Sequence, residues 1–136
     1  MNYQVIYYTK TGHTKKVAEA IASELDVEAE DVKTASLDPG AIVLMGTGCY
    51  GGSIGNDMKT FIENNDFSLR TVALFGTSGA GIGREVKKMA KLLEDKGARV
   101  ERTYHCKGQV FKIINRGKPD EHDLEEAKQF AKNVKR

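Results

Sequence analysis

The stretch Val5-Ile6-Tyr7-Tyr8-Thr9-Lys10-Thr11-Gly12-His13-Thr14 passes from an apolar, strand-length run through a hydroxyl-rich turn into the amphipathic segment Lys15 to Leu25. A strand that turns so briefly into a helix leaves the first helical N–H groups without intrahelical partners, at the positive end of the aligned peptide dipoles. An anion fits that place. Thr9, Thr11 and Thr14 offer hydroxyl donors, Gly12 permits close backbone approach, and Lys10 with His13 supplies positive charge. No carboxylate lies between Thr9 and Lys16. Thr11 or Thr14 alone would suffice to cap an ordinary helix, so three threonines in six residues exceed what capping requires. The turn reads as a phosphate cradle.

Downstream, apolar runs of strand length alternate with segments of helical period. Val17, Ala18, Ile21 and Leu25 recur on one face of the first helix, and Asp31 to Leu37 reads as a weaker second strand ending at the turn Asp38-Pro39-Gly40. Ala41 to Met45 is continuously apolar, as a strand covered on both faces requires, and is expected at the centre of a sheet. Ile54, Met58, Phe61 and Ile62 give a second helical stripe, Thr71 to Phe75 a second buried strand, and Val86, Met89, Ala90 and Leu93 a third helix stopped near Lys96 and Gly97. Ala98 to His105 reads as an edge strand, and Asp120 to Lys135 as a last helix entered through Pro119-Asp120. Parallel strands joined by right-handed helical crossovers account for this alternation. The expected fold is α/β, a doubly wound five-stranded parallel sheet over residues 1–136 as one domain, with ligands beyond the carboxyl ends of the strands.

Composition narrows the function. At 136 residues with 40% hydrophobic content the chain can bury a core. Its longest apolar run, Ala41 to Met45, is far shorter than the ~20 residues of a membrane-spanning helix. The N-terminus lacks the basic and apolar stretches of a secretory signal, so the expected location is cytoplasmic. Cys49 and Cys106 lie far apart, outside any metal-ligand spacing, and are expected as reduced thiols. A net charge of +2 spread along the chain argues for no nucleic-acid partner.

Nine of the fourteen glycines fall in two segments, Gly46 to Gly55 and Gly76 to Gly83, more than a strand-to-helix connection needs. Backbone that wraps a flat ligand needs such positions, and Tyr50 can stack on one ring face. Gly46-x-Gly48-x-x-Gly51 matches a dinucleotide fingerprint, but the anion cradle already follows the first strand and no acidic residue ends the next one. The same segment approaches a Walker A loop with Gly52 in place of its lysine, which leaves nucleotide hydrolysis unsupported.

Taken together, Thr9-x-Thr11-Gly12-x-Thr14 after the first strand, the Gly-Tyr-Gly-Gly type of second loop and Gly76-Thr77-Ser78-Gly79 resemble the flavodoxins over nearly the whole chain. The resemblance implies strand order 2-1-3-4-5 and one non-covalently bound FMN. By that resemblance Thr9, Lys10, Thr11, Gly12, His13 and Thr14 hold the phosphate. The loop of Thr47, Gly48, Cys49, Tyr50, Gly51 and Gly52 and the loop of Gly76, Thr77, Ser78, Gly79 and Ala80 then flank the isoalloxazine, and Gly51-Gly52 permits a peptide flip toward flavin N5. Many family members stack two aromatic residues on the ring and carry carboxylates beside it. Here Gly76 to Arg84 holds no aromatic and no acid, and Asp57 is the only acid from Gly46 to Asp57. The implied function is a low-potential electron carrier between redox partner proteins, with no membrane span. The alternatives are an FMN oxidoreductase acting on a quinone or porphyrinogen and a flavin-free binding module. A phosphoacceptor receiver would need acids where Thr9 and Gly46 stand. Cys106 to Pro119 is expected to pack under the last helix or to form a docking surface.

Overall fold

The computed structural model describes residues 2–50, 53–108 and 117–135. Strands β1 (Tyr3–Tyr7), β2 (Ala29–Asp31), β3 (Ile42–Gly48), β4 (Thr71–Ser78) and β5 (Arg99–Lys107) alternate with helices α1 (His13–Leu25), α2 (Asn56–Asn64), α3 (Arg84–Asp95) and α4 (Glu121–Lys135). All pairings are parallel and the order is β2-β1-β3-β4-β5, as the alternation and the family resemblance imply.

Side chains of successive strand residues enter opposite layers. Val5, Leu44, Ala73 and Phe75 pack with α1 and α4, whereas Ile6, Val43, Met45, Val72 and Leu74 pack with α2 and α3. Each large apolar side chain removed from water this way contributes about 1.5–3 kcal/mol. β1, β3 and β4 are therefore the apolar runs of the sequence, while β5 at the edge alternates between exposed and half-buried residues.

Two boundaries differ from the sequence expectation. The second strand is Ala29–Asp31 rather than Asp31 to Leu37. Asp31 ends it: its Oδ1 accepts the Lys33 N–H at 2.9 Å and its carbonyl accepts the Thr34 N–H at 3.1 Å, turning the chain out of the ladder. Val32, Ala35 and Leu37 still pack onto the α2–α3 side of the core. Buried Gln4 holds that irregular segment, donating to the Ser36 carbonyl at 2.6 Å and accepting from the Asp38 N–H at 3.1 Å. The second difference is that β3 and β4 run on through the first glycines of the expected loops, to Gly48 and Ser78. Gly46 lies where the Phe75 ring fills the place of a side chain, and Gly76 where the Glu85 carboxyl does. These two glycines serve packing within the sheet.

Candidate functional site

β1, β3 and β4 end side by side, and the turns that follow enclose a cleft of about 310 Å³. Lys10 and Thr11 of the first turn line it with His13 and Thr14 at the start of α1, Gly48 at the end of β3 with Cys49 and Tyr50 of the second turn, and Thr77 and Ser78 at the end of β4 with Gly79 of the third. Gly108, just past β5, completes the wall. Sequence reasoning missed Gly108, although a residue following the fifth parallel strand of this order falls at the same sheet end. Larger hollows lie elsewhere, about 800 Å³ between α1 and the start of α4 and about 500 Å³ between β5 and α4. Neither meets the ends of the central strands.

The first turn is shaped by Gly12, which takes φ of 91° as the residue before α1, a conformation that glycine adopts without steric penalty. Thr9 Oγ1 accepts the Gly12 N–H at 2.8 Å and closes the turn. No described side chain caps α1 and its first turn contains no acid; the Lys16 N–H is bonded within the helix, to the Gly12 carbonyl at 3.1 Å. None of the three threonines is therefore the cap. Thr14 Oγ1 instead meets Thr77 Oγ1 at 2.8 Å, a buried hydroxyl pair that joins the first turn to the third. Thr11 Oγ1 lies 2.6 Å from His13 Nδ1. Burial, and then the nearby Lys16 ammonium, hold the His13 pKa below its ordinary value.

The second turn is knitted to both neighbours. Cys49 donates its N–H to the Thr77 carbonyl at 3.0 Å, and the Tyr50 hydroxyl accepts the Lys10 N–H at 3.2 Å. The Lys10 ammonium sits 4.5 Å from the Tyr50 ring centroid, and Tyr8 meets the same ring edge-on at 5.8 Å. Burial raises the Tyr50 pKa, so the phenol stays protonated. Tyr50 and Ser53 exchange backbone hydrogen bonds around Gly51 and Gly52. Gly51 and Gly52 themselves lie outside the described residues, as does most of the 106–119 segment.

Several expected residues stand behind the cleft instead of lining it. Thr47 is fully buried, donates to the Gly48 carbonyl at 3.0 Å and accepts the Gly55 N–H at 3.2 Å, bracing the second turn from within. Thr9 and Gly12 shape the first turn, Gly76 lies inside β4, and Ala80 is exposed beyond the rim. Glu85, at the start of α3, was not foreseen at all. It is 0% exposed, packs against Gly76, and neither carboxylate oxygen has a hydrogen-bond partner among the described residues. Burial pushes its pKa up to about 7. His105 lies against Gly83 while Cys106 turns into the α1–α4 layer, where burial pushes its thiol up to about 12. The described residues contain no cluster able to hold a metal ion, and no described helix is long and apolar enough to cross a membrane.

Residues 4–112 match the family model described as a flavodoxin domain. The chain belongs to the flavodoxin family. A flavodoxin of Clostridium beijerinckii is 25% identical over 143 residues, covering 96% of this chain and 97% of its own. An uncharacterized protein of Methanocaldococcus jannaschii is 26% identical over 144 residues, covering 96% of each. The solved structure of a flavodoxin from the domain Archaea superposes with a TM-score of 0.77 over 100% of both chains at 22% identity, which establishes the shared fold.

Flavodoxins bind FMN. The residues of the cleft fit such a group: among the described residues no side chain caps the first turn of α1, no atom stands within 4 Å of where a Gly12 side chain would point, and no Asp or Glu lines the cleft. A dianionic phosphate would meet unpaired N–H groups there and no like charge.

Proposed function

We propose that this flavodoxin binds FMN non-covalently in the cleft and serves as a low-potential electron carrier between redox proteins. The supporting observation is the uncapped, acid-free first turn of α1, which opens onto a cleft shared with the ends of β3 and β4. Bound there, the isoalloxazine supplies the electron-transfer chemistry. The chain's own residues do the rest. The N–H groups from His13 onward and the hydroxyls of Thr11 and Thr14 hold the phosphate, each hydroxyl keeping a free donor or acceptor site beside its present partner, while Thr9 closes the turn behind them. Lys10 neutralises part of the phosphate charge. Tyr50 covers a ring face, and the backbone from Thr77 to Gly79 meets the polar ring edge.

The test is the visible spectrum after incubation with excess FMN and removal of free flavin, followed through stepwise anaerobic reduction. Retained flavin reduced in two separate one-electron steps supports the carrier. A single two-electron step with turnover of a quinone would replace it by the oxidoreductase, and no retained flavin would replace it by a flavin-free binding module.

A further inference from the structure

Beside the cleft, α2 and α3 leave a groove of about 420 Å³ between them. Its floor is apolar, formed by Ile54 and Leu92, and its rim consists of Lys59, Lys87, Lys88 and Lys91. All four lysines are exposed, and none belongs to an ion pair among the described residues. With Arg84, the α3 lysines recur at i, i+3, i+4 and i+7, so the helix presents one continuous basic stripe.

That stripe works against the helix that carries it. Arg84, Lys87 and Lys88 lie in the first half of α3, where the peptide dipoles favour acids, and the i, i+4 spacing of Lys87 and Lys91 sets like charges together. Of the acids of α3, Glu85 is buried under Gly76, and Glu94 and Asp95 lie within a turn of Lys91 only, so none stands beside Arg84, Lys87 and Lys88 to offset them. An arrangement that disfavours the isolated fold and encloses an apolar floor is explained by a partner that supplies negative charge and covers the floor.

The place of the groove fits the function. Its upper end is Ser53 and Ile54, which continue the second turn, and α3 begins where the third turn ends at Gly83. In that third turn Ile82 exposes 49% of its surface. We infer that the α2–α3 groove is the docking surface for an acidic electron-transfer protein, which inserts apolar side chains over Ile54 and Leu92 between carboxylates that meet the lysines. This rests on the electron-carrier reading and names the chemistry of the partner. A second copy of the chain docking through the same groove would set lysines against lysines.

The experiment uses the full chain incubated with FMN, and a plant-type [2Fe–2S] ferredoxin as the acidic probe. Amide shifts of the labelled protein are followed during titration with the probe, and stopped flow reads one-electron reduction of the bound flavin by reduced ferredoxin. Shifts are expected along α2 and α3, with the rate falling as salt screens the charges. Lys87→Glu/Lys91→Glu is expected to slow the reaction by about tenfold or more at low salt. Lys132→Glu/Lys135→Glu on α4, equally charge-reversed and on the opposite layer, is expected to leave it unchanged. Equal rates in the two double variants, or shifts that avoid the groove, overturn the inference. So does groove-dependent binding to vesicles containing phosphatidylglycerol or to duplex DNA with none to ferredoxin. Amide shifts are also recorded without FMN, so docking and flavin retention fail separately: a protein that retains no flavin loses the carrier reading even if the groove binds the probe.

Discussion

Replacing Glu85 by Gln removes a buried acid that the fold keeps protonated well above the ordinary carboxylate range. The carboxyl is fully enclosed against Gly76 with neither oxygen hydrogen-bonded to a described residue, and burial raises its pKa from 4.5 to about 7. Below pH 4.5 the folded and unfolded chains both keep the proton, and the full contribution of this group to stability is present. Between 4.5 and about 7 only the folded chain keeps it, so stability falls as pH rises, and the loss is complete about one unit above the folded value. At ~1.4 kcal/mol per unit, the span amounts to about 3 kcal/mol. That is a large share of the ~5–15 kcal/mol by which domains are stable. Urea unfolding of the wild type and of Glu85→Gln, from pH 5 to pH 8.5, isolates the term, because every other titration cancels in the difference. The wild type is expected to lose about 2.5 kcal/mol relative to the variant across that range, the remainder of the span lying below pH 5. A difference independent of pH, or one that moves in favour of the wild type, would refute the assignment of a buried, unsatisfied carboxyl beneath the third turn.

Further outcomes follow from the cleft. FMN binding is expected to raise the depressed His13 pKa, because a dianion beside the first turn outweighs the burial and the Lys16 charge that lower it; an NMR titration that finds no change would place the phosphate away from His13. Thr14→Val keeps the shape of the side chain but strands the Thr77 hydroxyl, which should cost about 1–2 kcal/mol in denaturant unfolding. Unchanged stability would mean that water replaces the lost partner. Because no described lining residue is acidic, the second reduction step of bound FMN should be less negative than in a flavodoxin with carboxylates beside the ring. A charge pair at ~4 Å is worth roughly 4 kcal/mol at an effective dielectric of 20, and ~1.4 kcal/mol corresponds to about 59 mV for one electron. Spectroelectrochemistry giving an equally low potential would count against this.

Much of the architecture was legible because the central strands carry the strongest local signal. Val43 to Met45 and Val72 to Phe75 are buried on both faces, and nothing but a covered strand accounts for such runs. Where those strands end was not legible. Whether Gly46 and Gly76 belong to strand or to loop depends on Phe75 and Glu85, side chains that reach them only in the folded chain. The short β2 was misjudged because the Asx turn at Asp31 competes with the ladder, and the apolar residues after it find the core without being strand. Of the cleft, the residues contributed by the first turn could be read from the spacing of threonine and glycine. Lys10 over Tyr50 and Thr14 against Thr77 could not, since each joins parts of the chain that only the strand order brings together.

The bare first turn of α1 has a thermodynamic meaning beyond recognition. A helix that leaves its opening N–H groups to a ligand has delegated the role of its cap, so the ligand's affinity and the helix's resistance to fraying draw on the same hydrogen bonds. On the electron-carrier reading, cofactor supply would then set the protein's resistance to proteolysis as well as its activity, and chains without flavin are expected to be cleaved near the first turn of α1 sooner than loaded ones.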